Sequence, residues 1–272
     1  MAAFTPLQVA YFFGILGNIV SFMVFLAPLP TFYRIYKMKS TQGFQSIPYS
    51  VSLFSAMIYL YYAYLKKKDA LLLITINSVG TTVETFYLVV FMIYATKSAK
   101  IFTTKLVLVF NIGALGIIMI CTYLFSHGHK RVEIVGWICA IFSLSVFAAP
   151  LTIMRKVIKT KSVEFMPFSL SFFLTLCAVM WFFYGFLIKD YYIATPNVLG
   201  FSFGIAQMIL YVIYRDRKKQ VLPEINLKEA ANQKLADAVI EIGPVTELPA
   251  AEETAIVSAP KDAAVVGKPA EV

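Results

Sequence analysis

The sequence predicts an all-α membrane protein of seven transmembrane helices, arranged as two parallel three-helix repeats joined by a linker helix. Three observations lead there. The chain is 59% hydrophobic and 14% charged with a mean hydropathy of +0.74, above the apolar share of about 45–50% that a soluble domain carries. Seven stretches are apolar and long enough to cross about 30 Å of hydrocarbon, which takes roughly 20 helical residues. Residues 14–40 recur as 136–162 at a fixed offset of 122: Ser21, Val24, Phe25, Ala27, Pro28 and Leu29 return as Ser143, Val146, Phe147, Ala149, Pro150 and Leu151, the pattern SxxVFxAPL twice over.

The spans are expected near 7–33, 46–65, 70–95, 106–125, 134–154, 168–188 and 191–214. The first is too long for a signal peptide, has no basic region before it and shows no small-x-small cleavage site, so it stays as a helix. In the second and sixth, Pro48-Tyr49-Ser50 answers to Pro167-Phe168-Ser169, and Tyr59 and Tyr62 stand opposite Trp181 and Tyr184. The two halves also close alike, on Ile76-Asn77 in the third span and Pro196-Asn197 in the seventh. Each half is therefore one three-span unit. The fourth span has no copy and low polar content, and is expected to pack outside the functional core. An odd number of spans from the first through to the fifth makes matching helices cross in the same direction, so the repeats are parallel. The resulting organisation is 1–98 first repeat, 99–130 linker helix, 131–216 second repeat and 217–272 a tail of Ala, Glu, Lys, Pro and Val expected to be disordered.

Net charge is +9, yet the basic residues cluster at helix ends rather than on one face, which speaks for orientation and against nucleic acid. Arg34, Lys37 and Lys39, then Lys97, Lys100 and Lys105, then Arg155, Lys156, Lys159 and Lys161, then Arg215, Arg217, Lys218 and Lys219 fall on one side. By the positive-inside rule the N-terminus is extracellular and the C-terminus cytosolic. Cys121, Cys139 and Cys177 all lie in apolar spans, where free thiols are expected and no disulfide framework is implied. There is no nucleotide loop, metal cluster or nucleophile constellation, so neither an enzyme nor a cofactor is expected.

Polar groups inside spans should mark the core, because an unpaired one in hydrocarbon costs several kcal/mol. Asn77 and Asn197 lie about seven residues into their spans, roughly 10 Å deep at 1.5 Å per residue. A carboxamide both donates and accepts, so the matched pair can grip the hydroxyls of a neutral polar ligand. Singly, each would be helix–helix glue. Ser55, Tyr59 and Tyr62 share one helical stripe, as do Cys177, Trp181 and Tyr184. Such aromatic faces can sandwich a pyranose ring; an interfacial belt is the other reading, better suited to Tyr62 and Tyr184. Pro28, Pro48, Pro150 and Pro167, near the cytosolic ends of four helices, are expected to bend them and act as hinges. Gly14, Gly80, Gly113, Gly136, Gly185, Gly200 and Gly204 are expected to allow close helix packing. Glu84 is the one carboxylate well inside a span and has no copy, leaving a structural bond or a proton site open.

These segments, with KSTQGFQSIPY, KSVEFMPF, LLITIN and YYIATPNVLG, resemble the plant SWEET sugar transporters (MtN3/saliva, PQ-loop-related) over about residues 7–215. The resemblance implies a facilitative uniporter working by alternating access, in a homo-oligomer embedded in the lipid bilayer. It implies a pocket at Asn77, Asn197 and Trp181, side walls at Ser21, Val24, Ser143 and Val146, and a floor at Ser55 and Cys177. It further implies an extracellular gate at Tyr62, Tyr184 and Asp190 and a cytosolic hinge at the four prolines. Valine at 24 and 146 is similar to the sucrose-preferring branch. The family pattern has Trp and Ser where this chain has Tyr59 and Cys177, which bears on affinity and preference more than on transport. The favoured expectation is a plasma-membrane sucrose uniporter; a hexose uniporter, a proton-coupled PQ-loop-type carrier and a seven-helix receptor are the alternatives.

Overall fold

The computed structural model describes residues 5–163 and 166–215; the expected disordered tail lies outside them. α1 (Pro6–Leu26) begins with Thr5 as N-cap, bonded reciprocally with Gln8, and with proline in the first turn. It stops where Pro28 lacks the N–H that would reach Val24, and α2 (Leu29–Met38) resumes beyond. α3 (Ile47–Lys66) and α4 (Leu71–Tyr94) complete the first repeat. The fourth span is a rod of α5 (Lys97–Leu106), a π-helical stretch Val107–Ala114 and α6 (Leu115–Phe125). The second repeat follows the first: α7 (Gly128–Val146) breaks at Phe147, before Pro150, and continues as α8 (Ala148–Thr160). α9 (Phe168–Leu187) and α10 (Tyr191–Tyr214) close it. α2 and α8 end alike, on left-handed Lys39 and Lys161 with φ of 52° and 54°. Each of these lysines reaches a tyrosine hydroxyl, Tyr94 or Tyr214, at the end of the third helix.

The chain is multi-pass. Six of its rods are long and apolar enough to cross a membrane; α3, rich in serine and tyrosine, falls short of that mark by composition but runs among them. Only two of the four prolines interrupt a span. Pro48 lies in the first turn of α3 and Pro167 is the N-cap of α9, positions where no intrahelical N–H is needed. These two open helices rather than bend them, which corrects the expectation of four bends.

The six repeat helices form a ring in the order α1, α4, α3, α7, α10, α9 and back to α1. α4 and α10 are the middle members of their repeats, while α1 against α9 and α3 against α7 are the two seams between repeats. One apolar core crosses both seams, from Phe54, Ile58 and Tyr62 to Cys139, Trp181 and Tyr184. Close helix approach rests on glycine at matched places: a Cβ on Gly14 would meet Leu72 Cδ1 at 2.5 Å, and one on Gly136 would meet Tyr192 Cδ2 at 2.6 Å. Gly113 makes no such contact with a neighbouring helix; a Cβ there would meet only a carbonyl of its own rod.

The linker rod packs on α3 and touches α7. Three of its polar residues are buried and paired. Thr103 bonds Ser46 at 2.7 Å, Asn111 exchanges two hydrogen bonds with Ser50, and Thr122 bonds Tyr61 at 2.8 Å. Four interhelical bonds of roughly 0.6 kcal/mol or more each tie the linker to the first repeat rather than leaving it loose between the two.

Candidate functional site

Between the repeats lies a cavity of about 230 Å³. Its wall alternates between copies: Asn77 and Asn197 from the middle helices, Ser21 and Ser143 from the first helices, Tyr59 and Trp181 from the second. Each asparagine Nδ2 donates to the carbonyl four residues back, Asn77 to Leu73 at 2.8 Å and Asn197 to Ile193 at 2.7 Å. That bond fixes both carboxamides in the same rotational sense and leaves each carbonyl oxygen free to accept from a ligand. Pro196 stands next to Asn197 inside α10 and also lines the cavity.

The aromatic residues close the seams as well as the cavity. Trp181 Nε1 donates to Ser21 Oγ at 3.0 Å across α9 and α1, and Tyr59 shares a hydrogen bond of 2.9 Å with Ser143 across α3 and α7. Each residue of the first bond is the sequence copy, 122 positions away, of its partner in the second. Cys177 Sγ adds a 3.0 Å contact to Ser21 that Ser55, its copy, does not make to Ser143. Cys177 reaches the central cavity only through this bond; its side chain lines a neighbouring cavity in the second repeat, together with Val146. Val24 is half-buried and lines neither. Both valines stand in the last turn of α1 or α7, just before the breaks, and neither lines the central cavity that Ser21 and Ser143 line.

At the end bearing Asp190 the cavity is closed by two tyrosine latches. Tyr62 donates to Asp190 Oδ2 at 2.9 Å, and Lys66 pairs with the same oxygen. Asp190 is also the N-cap of α10, its Oδ1 accepting from Ile193 N–H at 3.3 Å. Across the ring Tyr184 donates to the backbone carbonyl of Asp69. The copy of Asp190 in the first repeat is Ala70, so that latch has a peptide oxygen and no carboxylate. Lys66 and Asp69 escaped the sequence reading, although the turns before the two middle helices carry acids one position apart, a signal visible on alignment. A larger cavity of about 630 Å³ on the flank of α3, α7 and α10 lies beyond this latch and shares no residue with the central one.

Toward the proline end, Phe25 and Phe147 form the cavity's other boundary. Both lean on a glycine of the middle helix of their own repeat: a Cβ on Gly80 would meet Phe25 Cζ at 2.6 Å and one on Gly200 would meet Phe147 Cζ at 3.3 Å. These phenylalanines also went unmarked, though both stand in the repeated SxxVFxAPL. Glu84 is buried in α4 away from the cavity, with one carboxyl oxygen unpartnered.

A protein-family model described as "Sugar efflux transporter for intercellular exchange" matches residues 11–99 and 133–219. The chain is 61% identical over 219 residues to the bidirectional sugar transporter NEC1 of Petunia hybrida, covering 80% of this chain and 82% of that one. It is 59% identical over 205 residues to the bidirectional sugar transporter SWEET13 of Oryza sativa subsp. japonica, covering 75% and 69%. A solved eukaryotic SWEET transporter superposes with a TM-score of 0.73 at 33% identity, covering 78% of this chain and 99% of that one.

Proposed function

This chain belongs to the SWEET family of sugar efflux transporters, and on that premise we propose that it is a facilitative, bidirectional sugar uniporter whose preferred cargo is sucrose. The observation that carries the proposal is the central cavity with its matched asparagines, serines and aromatic faces. A sugar ring offers hydroxyls to Asn77 and Asn197 and its C–H face to Tyr59 and Trp181. Among the described residues no charged side chain lines this cavity, which suits a neutral solute. The sequence copies on the two sides give it the same chemistry from either repeat.

Transport proceeds by alternating access. With the Asp190 end outside, as the positive-inside rule has it, Tyr62, Tyr184, Asp190 and Lys66 are the outer gate. Phe25 and Phe147, above the breaks at Pro28 and Pro150, are the inner closure. Rocking of one repeat against the other along the two seams breaks one closure and forms the other. Glu84 does not line the cavity, no other acid among the described residues does, and the cargo moves down its gradient without a coupled proton. The protein acts in the plasma membrane, as a homo-oligomer whose lipid-facing flanks pack copy against copy.

The test is uptake of radiolabelled sucrose and glucose into liposomes holding only the purified protein, with and without an imposed pH gradient. Sucrose uptake that equilibrates and ignores the gradient is expected. Uptake of glucose alone would transfer the proposal to the hexose reading. Accumulation driven by the proton gradient and lost in Glu84→Gln would replace uniport with coupled transport.

A further inference from the structure

The two repeats differ most in their proline-end halves. α4 and α10 are both 24 residues long and align at an offset of 120, so Tyr87 answers to Gln207 and Glu84 to Gly204. In the first repeat Tyr87 is fully buried, its ring stacked on Phe32 at 4.4 Å and its hydroxyl donating to the Phe25 carbonyl at 2.8 Å. With Tyr49 and Phe91 it fills the space between the three helices. In the second repeat the same space is a cavity of about 370 Å³.

This lobe adjoins the central cavity, since Asn197 and Phe147 line both. Its walls are mainly apolar, with a few polar groups turned in. Gln207 lines the lobe, is only 7% exposed, and its carboxamide makes no hydrogen bond to any described residue. Ser171 is buried beside it on α9, its hydroxyl held only by a 3.5 Å contact to the Pro167 carbonyl. A carboxamide that faces an apolar cavity and takes no partner from the described residues is left for water or a ligand to pair, and the cavity has room for a ligand. Gln207 lies ten residues beyond Asn197, roughly 15 Å along the helix axis, and its side chain leans back toward the helix N-terminus. The central cavity alone is smaller than the roughly 300–1,000 Å³ usual for a small-molecule site, and the lobe brings the space into that range.

We infer that the lobe is the second-ring subsite of a disaccharide. One ring lies between Asn77 and Asn197; the other passes Asn197 into the second repeat, where Gln207 and Ser171 bond its hydroxyls. Tyr87 denies the same room in the first repeat, so the disaccharide binds in one orientation although the central cavity is nearly symmetric. Gln207 is thus a residue that separates disaccharide from monosaccharide cargo. The inference rests on the sugar-transport reading.

Two variants test it in protein-only liposomes. Gln207→Tyr, which copies the first repeat, fills the lobe and should lower sucrose flux by at least about ten-fold. Glucose binding, read from its quenching of tryptophan fluorescence, should stay within about two-fold because the central cavity keeps its wall. Gln207→Leu keeps the volume and removes the amide, and should raise the sucrose half-saturation concentration about five-fold, the worth of one hydrogen bond. Wild-type sucrose flux in Gln207→Tyr, or glucose binding lost along with it, overturns the lobe. Should Gln207→Tyr not fold, an unchanged sucrose half-saturation in Gln207→Leu overturns it instead. Wild-type protein that moves no sugar defeats the transport reading, a result distinct from either.

Discussion

The first and second repeats are alike at the centre of the molecule and unlike at both ends. At the centre, Trp181 with Ser21 and Tyr59 with Ser143 make one hydrogen bond twice, and Asn77 and Asn197 fold back on their own helices in the same way. At the Asp190 end one tyrosine latches onto a carboxylate and a lysine, the other onto a peptide oxygen. At the proline end one repeat is filled by aromatic rings and the other is hollow. Symmetry has been kept around the cavity that both repeats line. It has been lost in the latches and in the filling of the proline end, where Lys39 on Tyr94 and Lys161 on Tyr214 still match.

The strongest way to break this comparison is at the matched asparagines. Asn77→Ala and Asn197→Ala should each lower sucrose flux by about a hundred-fold, the loss that follows when ligand hydroxyls are left unpaired. The two losses should agree within a few-fold, and a large inequality would mean that the centre is functionally asymmetric. The latches should respond unequally. Asp190→Asn removes the partner of a largely buried lysine and should destabilise the protein by about 2 kcal/mol, below the value for a fully buried pair because Lys66 keeps some solvent. Asp69→Asn leaves its peptide oxygen in place and should stay within about 0.5 kcal/mol; thermal melting of the two variants side by side decides.

Smaller differences sharpen the same picture. Gly80→Ala drives a Cβ to 2.6 Å from Phe25, whereas Gly200→Ala meets Phe147 and Ala178 at 3.3 Å. Overpacking of the first kind costs about 1–3 kcal/mol, so Gly80→Ala should melt clearly below Gly200→Ala; equal melting would show that Phe25 turns aside freely. Tyr59→Phe removes one seam bond, worth about 0.6 kcal/mol between membrane helices. Sucrose flux should fall by no more than about three-fold, and a larger loss would give the Tyr59 hydroxyl a direct role in binding.

Much of this was legible in the sequence. Spans follow from apolar length, and the repeat follows from SxxVFxAPL, whose offset also predicts which residues mirror each other across the ring. That offset pairs Ser21 with Ser143 and Tyr59 with Trp181, an offset of 120 pairs Asn77 with Asn197, and all six line one cavity. What escaped depends on where helices start and stop. Pro48 and Pro167 look like Pro28 and Pro150 in the sequence, yet a proline in the first turn does no bending, and only the helix bounds separate the cases. Val24 and Val146 share the serines' motif, yet neither lines the central cavity. Asp69 missed a carboxylate role by one residue, because the N-cap position of α4 falls on Ala70. The buried Thr103, Asn111 and Thr122 of the linker face α3, a direction that low polar content gave no reason to expect.

The measurement that tests the central claim most directly is counterflow. Liposomes holding the protein are loaded with unlabelled sucrose and diluted into a trace of labelled sucrose, with no pH or ion gradient. A single cavity opened in turn to either side predicts a transient accumulation of label above its equilibrium level, absent in Asn77→Ala and Asn197→Ala. Label that rises to equilibrium without an overshoot would mean an open channel, and label that never enters would mean that the cavity does not carry sucrose.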